Sequence, residues 1–378
     1  MLVKELHIVN LRNHISSLVE FGEGVNVISG SNGSGKTSIL EAVSVVSISK
    51  TFLPSTDTAL IKSGQQEYKV SVLAESNVEV PYRASVEFRA GTRKRINSSV
   101  GDNLNPKDII GTIPLVILSP DFKSLTFGSP QDKRQFLDMV LSQSGRQYAD
   151  ESIKYKKYLK QRNAMLSQYL KSGEFNRDYF EILTGMYIRS AVEIFYKRIN
   201  FIKEFRDIFI DSYKFVSKEK ELPGIVYNPD TLKNYDLFTK DDISNILNER
   251  YQHLQNAEMR RGASLFGPHR DDLFFTVNGL NSKDSASQGQ HKSLLISIKL
   301  AEFEFLKNIL NETPILLFDD IFSELDSERS AAVFTKITEN NAQTIITLTN
   351  AERFINDFKL NATFIEVENG KISERNAD

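Results

Sequence analysis

Gly30, Ser31, Asn32, Gly33, Ser34, Gly35, Lys36 and Thr37 follow one another in the spacing G-x-x-x-x-G-K-[ST]. Successive backbone N–H groups can face one concavity only where the chain takes turns that side chains obstruct. Glycines at 30, 33 and 35 remove that obstruction. A helix starting just after the turn would add its free N–H groups and the positive end of its dipole. Lys36 supplies a mobile charge for β- and γ-phosphates, and the Thr37 hydroxyl is a hard oxygen ligand suited to Mg²⁺. The flanks agree with this reading: "GVNVIS" has the β-branched run of a buried strand, and "SILEAVSVV" has the apolar spacing of a helix. A phosphate-binding loop, or P-loop, is the expectation.

A second cluster lies roughly 280 residues later. "ILLFDDIF" ends an apolar strand in Asp319 and Asp320. A carboxylate at the end of a strand beside a P-loop can hold Mg²⁺ opposite the loop threonine, and this role is assigned to Asp319. Asp320 is placed to polarise the attacking water. In "ASQGQHKSLL", Ser287, Gln288, Gly289 and Gln290 open a helix, with apolar residues at 294, 298, 301 and 305. A hydroxyl, a glycine permitting close approach and free N–H groups make another phosphate-facing surface, although a plain helix cap would look the same. "SELD", 323–326, follows the acids as a turn or cap.

These residues need positioning elements. Residues 1–118 read as strand-rich, with "EYKVSVLAES" and "VPYRASVEFRAG" as an antiparallel pair and "IPLVILSP" as a buried strand. The segment 119–261 is helical, with a proline and acidic first turn opening "PQDKRQFLDMVLSQ", long helices over 146–170 and 178–214, and a helix closing before Gly262. "ELPGIVYNPDT" is a loop or short strand. From 262 to 378 the pattern returns to α/β, including a short helix over 352–358 and a closing strand pair. The expected fold is α/β: a P-loop ATPase head built from both chain ends, with an inserted helical arm domain.

Composition narrows the classes. The 378 residues carry 40% hydrophobic content and a net charge of −2, ample for a packed core and two or more domains and without a global basic excess. There is no cysteine, which excludes disulfides, zinc–thiolate sites and cysteine nucleophiles. No signal-like or membrane-length apolar run is present, so a cytoplasmic location and no membrane partner are expected.

With these motifs assembled, the chain resembles the RecF family of DNA replication and repair proteins, within the SMC and Rad50 group of ABC-type ATPase heads. "NLRNHISSLVEF" with the P-loop, "SPDFKSLTFGSPQDKRQFLD", "LFGPHRDDL", "ASQGQHKSLLISIKLAE" and "LLFDDIFSELDSER" carry the resemblance over nearly the whole chain. An arm of about 140 residues is too short for the long coiled coil of SMC or Rad50 proteins. Departures are Lys133 where a second arginine beside Arg134 is usual, and Leu53 where arginine is frequent. No switch histidine follows the last core strand, where Thr349 is the candidate.

The resemblance implies ATP and Mg²⁺ as cofactors, and an ATP-dependent homodimer in which Ser287, Gly289 and Gln290 meet the γ-phosphate held by the partner's Lys36 loop. It places Arg12 and Asn13 near the nucleotide's base or α-phosphate, and His269 and Arg270 in support of the signature lobe. It implies binding to double-stranded DNA near gaps or single/double-strand junctions, RecO- and RecR-type mediators as partners, help in loading the RecA recombinase, and a weak DNA-stimulated ATPase whose slow hydrolysis releases the dimer. An ABC-type ATPase subunit coupled to transport, or a nucleotide-gated scaffold, is the alternative.

Candidate DNA contacts come from charge. Residues 146–207 hold 13 Lys or Arg against 8 Asp or Glu, interleaved with tyrosines. The densest run offers Lys154, Lys156, Lys157, Lys160 and Arg162 for phosphates. A solvated helical face with tyrosines in the core reads equally well. "RKR", 93–95, is a second basic candidate.

Overall fold

The computed structural model of the chain describes residues 1–174, 176–218, 221–233, 235, 237–349 and 362–375. Two compact units form: Met1–Lys123, Ser212–Glu219 and Lys292–Asp378 make one, and Ser124–Asp211 with Lys220–His291 make the other. The helix expected over 352–358 lies outside the described residues.

The first unit contains two sheets. One is antiparallel, in the order His14–Glu20, Leu2–Leu11, Glu67–Glu75, Pro81–Arg89, Arg95–Ser98. Strand Glu67–Glu75 alternates buried and exposed positions, as a sheet with one covered face requires. The other sheet runs Lys371–Arg375, Ala362–Glu368, Val25–Ser29, Thr344–Leu348, Ile315–Asp319, Leu115–Leu118. Its last five strands are mutually parallel, and Lys371–Arg375 pairs antiparallel at the edge. All five residues of Ile315–Asp319 are buried, the mark of a central parallel strand.

Helix Lys36–Ile48 is buried on nearly every side. Its Ile39, Leu40 and Val43 share one core with Leu6 and Val70 of the antiparallel sheet and with Ile28, Leu317 and Ile345 of the parallel sheet. Burying each large apolar side chain contributes about 1.5–3 kcal/mol, so this shared core fixes the helix start on which the site depends.

The second unit is mainly helical: Pro130–Ser144, Arg146–Ser172, most of Arg177–Ser217, and Lys240–Arg261. Ser129 and Asp132 form a reciprocal cap ahead of the first, and Gly262 ends the last in the left-handed region at φ 67°. The division expected at 262 falls instead after His291. Strand Asp272–Val277 pairs antiparallel with Pro223–Asn228 and with Leu280–Asn281, and this small sheet ties residues 262–291 to the helical unit.

The second unit also corrects a sequence expectation. Arg162, offered above as a DNA contact, is fully buried. Its guanidinium pairs with Glu258 at 2.5 and 3.0 Å, donates to Ser264 Oγ at 2.7 Å and Thr184 Oγ1 at 3.1 Å, and lies 4.9–5.5 Å from four aromatic ring centres. A buried cation held by a carboxylate and ring faces is a structural element, and a phosphate cannot reach it.

Candidate nucleotide-binding site

The P-loop connects strand Val25–Ser29 to helix Lys36–Ile48. At Gly35, φ is 116°, and a Cβ there would lie 2.7 Å from both Asn13 Oδ1 and His14 Nε2. Only glycine meets both demands. The loop is held from two sides. Asn13 Nδ2 donates to Gly33 O at 3.1 Å and Ser34 O at 2.7 Å, and Gly370 N donates to Ser34 O at 2.8 Å. Buried His14 has Nε2 3.1 Å from Gly35 O and Nδ1 2.9 Å from Ser17 Oγ, and burial holds its pKa below the usual value.

The acids sit opposite. Thr37 Oγ1 donates to Asp319 Oδ1 at 2.8 Å, and Thr347 Oγ1 donates to the same oxygen at 2.9 Å. Asp320 N donates to Thr347 Oγ1 at 3.0 Å. Thr347 therefore joins both acids, because the parallel register sets Asp319 beside it. Thr349, the sequence candidate at this strand's end, is exposed beyond it. Burial pushes the Asp319 carboxyl above its usual range, offset by the two threonine hydroxyls and reinforced by the charges of Asp320 and Glu41.

Asp320 has a left-handed backbone, φ 48° and ψ 21°, which a non-glycine residue holds only under constraint. Its Oδ1 is buried without a hydrogen-bond partner. Six buried side-chain atoms among the described residues share that condition, and three of them, Asn13 Oδ1, Ser34 Oγ and Asp320 Oδ1, belong to this site. Such clustering points to a polar ligand. Asn13 and Asp320 border a cleft of about 520 Å³ whose walls also include Asn32, Gly33, Lys36 and Thr37 on one side and Thr347 on another. Lys36 Nζ donates to Gly30 O at 2.8 Å and Ser31 O at 2.9 Å, and burial lowers its pKa against the pull of the two acids.

The oxygen set of Thr37 and Asp319 fits Mg²⁺, which takes few protein ligands and completes its shell with phosphate and water. Among the described residues no group of three or more His, Cys, Asp or Glu forms a metal cage.

Arg12 also lines the cleft, but it is engaged. Its Nε and Nη2 form a two-pronged pair with Glu41 at 2.9 and 2.7 Å, and Nη1 donates to Ala59 O at 3.0 Å. Thr51 Oγ1 donates to the same Glu41. Sequence reasoning missed Glu41, Thr347, Lys62 and Ser63 in or behind this site. A carboxylate inside the otherwise apolar "SILEAVSVV" was the one available signal, since a buried acid needs a cation.

Ser287 lies at the N-terminus of helix Gln288–Leu310 and is exposed. Its Oγ accepts from Gln290 N at 3.2 Å while Gln290 Oε1 accepts from Ser287 N at 2.7 Å. The motif is a reciprocal cap that presents its hydroxyl to solvent. Of the remaining basic candidates, Lys154 pairs with Glu151 at 2.7 Å and Lys156 with Asp138 at 3.0 Å, while Lys157 and Lys160 are exposed. Arg93 and Arg95 are exposed, and Lys94 pairs with Asp57 at 2.7 Å. His269 lies 2.6 Å from Tyr155 Oη, Arg270 pairs with Asp230, and Arg134 donates to Asp271 O at 2.7 Å, so these family-hallmark residues brace the second unit.

Known proteins agree with this architecture. The sequence model of the "RecF/RecN/SMC N terminal domain" family matches residues 2–373. A "DNA replication and repair protein RecF" of Chloroherpeton thalassium is 32% identical over 93% of this chain and 95% of its own length. That of Chlorobium phaeovibrioides is 35% identical over 92% and 93%. A solved structure described as the recombination mediator protein RecF-ATP in the RecFOR pathway superposes with a TM-score of 0.91 at 25% identity, covering 99% of this chain and 97% of that one. An SMC head domain from Pyrococcus furiosus, at 17% identity and a TM-score of 0.55, shares the fold. With an SMC-type ATPase head and full-length likeness to these relatives, the chain belongs to the RecF family.

Proposed function

We propose that this chain is an ATP-operated DNA replication and repair protein of the RecFOR pathway, in which bound ATP joins two copies on duplex DNA near gaps and hydrolysis releases them. The observation that carries the reading is the Thr37–Asp319–Thr347 cluster beside the unpartnered Asp320 Oδ1. A relative solved with ATP supports the nucleotide, and the relatives' names support the pathway.

In this reading the P-loop amides and Lys36 bind and orient the triphosphate. Mg²⁺ held by Thr37 and Asp319 would neutralise charge on the β- and γ-phosphates. The Asp320 carboxylate, fixed by its constrained backbone and the Thr347 hydrogen bond, accepts a hydrogen bond from the attacking water and orients it. Exposed Ser287, on the second unit, serves the nucleotide of the partner copy, so both copies complete each site. Loss of the shared γ-phosphate then weakens the dimer. An aspartate reaches less far than a glutamate, which accounts for slow turnover. RecO- and RecR-type mediators act on the DNA-bound dimer to help load the recombinase. Steady-state phosphate release with and without gapped duplex DNA tests the reading: stimulation by duplex is expected, and release indifferent to DNA contradicts it.

A further inference from the structure

Three cations line the cleft, Arg12, Lys36 and Lys62. Arg12 is neutralised by Glu41. Lys36 lies on the loop's own carbonyls, within reach of the charges of Asp319 and Asp320. Lys62 differs from both. It is half-buried, its Nζ donates to a backbone oxygen, Asn13 O, at 2.9 Å, and among the described residues no carboxylate forms an ion pair with it. A partly desolvated ammonium without a counter-charge is costly unless an anion arrives.

The backbone fixes where this charge stands. Arg12 N donates to Leu60 O at 2.7 Å, Lys62 N donates to Asn10 O at 2.9 Å, and Ile61 bridges Leu11. Segment 60–62 is thus laced to the strand end at 10–12, and Lys62 is set against the turn that carries Asn13 and His14. Lys62 Nζ therefore stands at the Asn13 wall of the cleft, whereas Lys36 Nζ lies on the carbonyls of Gly30 and Ser31. A triphosphate with its γ-phosphate at the acids and its chain along the P-loop would bring its ribose end toward the Asn13 wall, where Lys62 stands.

We infer that Lys62 is the cation for the α-phosphate, a positioning residue that fixes the ribose end of the nucleotide while Lys36 serves the β- and γ-phosphates. The inference rests on the nucleotide reading of the cleft. Asn13, which accepts from Lys62, also pins the loop at Gly33 and Ser34, so Lys62 is tied to the loop through one residue.

The test is titration of the full chain with Mg·ATP and Mg·ADP, comparing wild type, Lys62→Met, Lys62→Arg and Lys36→Met, with the melting temperature of each nucleotide-free protein. Charge-assisted contacts of this kind correspond to roughly ten- to a hundredfold in affinity. Lys62→Met should weaken ATP and ADP by the same factor, about tenfold or more, with unchanged nucleotide-free melting. Lys62→Arg should bind within about threefold of wild type. Lys62→Met binding like wild type overturns the inference. A loss confined to ATP overturns the α-phosphate assignment. A lowered nucleotide-free melting temperature with no rescue by arginine assigns Lys62 a structural role and overturns it too. Wild type binding neither nucleotide would instead refute the site reading itself, and the two failures are distinguished by that control.

Discussion

Thr37 Oγ1 and Asp319 Oδ1 are 282 positions apart in sequence and 2.8 Å apart in space. One residue opens the buried helix after the P-loop and the other ends a central parallel strand. Their meeting gives the chain its hard-oxygen site, and the strand between them, Thr344–Leu348, adds Thr347 to the same oxygen.

Replacing Asp319 with Asn removes the charge of that site. Affinity for Mg·ATP should fall about tenfold or more, and EDTA should have a similar effect on the wild type. Fluorescent-nucleotide titration with and without EDTA measures both, and an Asp319→Asn variant that binds Mg·ATP as tightly as wild type and loses as much in EDTA would speak against the assignment.

Asp320→Asn keeps the size of the side chain and loses the water-orienting carboxylate. Hydrolysis should drop about a hundredfold while ATP binding changes less than about threefold. Single-turnover phosphate release beside equilibrium binding separates the two quantities. Equal losses in both would mean that Asp320 holds the nucleotide.

Arg162 and its neighbours on the same helix should respond oppositely. Arg162→Ala leaves Glu258 buried and unpaired and should cost roughly 3–5 kcal/mol of stability. Reversing Lys157 and Lys160 to Glu should leave melting almost unchanged and flatten the salt dependence of duplex binding by a slope of about 2. An unaltered slope would move the DNA contact elsewhere.

Burial lowers the pKa of His269 to about 4, helped by the charges of Arg270, Arg134 and Arg162. An unfolded histidine titrates near 6.5, so as pH falls the unfolded chain takes up the proton first. The stability difference is present above about 6.5 and is lost progressively toward about 4. His269→Gln removes this component. The advantage of wild type over the variant should therefore shrink by on the order of 2 kcal/mol between pH 7 and pH 4.5 in urea unfolding. A difference independent of pH would mean that the ring titrates alike in the folded and unfolded chains.

Short-range patterns were legible in sequence. The P-loop, the acid-ended strand, the capped helix at Pro130 and the glycine stop at Gly262 each depend on neighbours within a turn or two. Pairings between distant strands were not legible. Choosing Thr347 over Thr349 depends on the register of two parallel strands, and placing Lys62 beside Asn13 depends on a chain crossing that no local pattern encodes. Arg162 was readable after all. Tyr148, Ser152, Tyr155 and Leu166 are buried at helical spacing, and Arg162 falls on their stripe, whereas Lys157 and Lys160 fall off it. Counting charges without their periodicity hid that difference. The unit boundary shifted for a similar reason: strand Asp272–Val277 resembles a head strand by composition but finds its partner in Pro223–Asn228.

The central claim is that two copies close on ATP, each completing the other's site through Ser287. Light-scattering mass measurement of the chain with Mg·ATP and duplex DNA, beside Lys36→Met and Ser287→Arg, tests it most directly. Wild type should rise from 42.9 kDa to about twice that value in protein mass, with both variants remaining single copies. Wild type staying at 42.9 kDa under saturating Mg·ATP on duplex DNA would contradict the account.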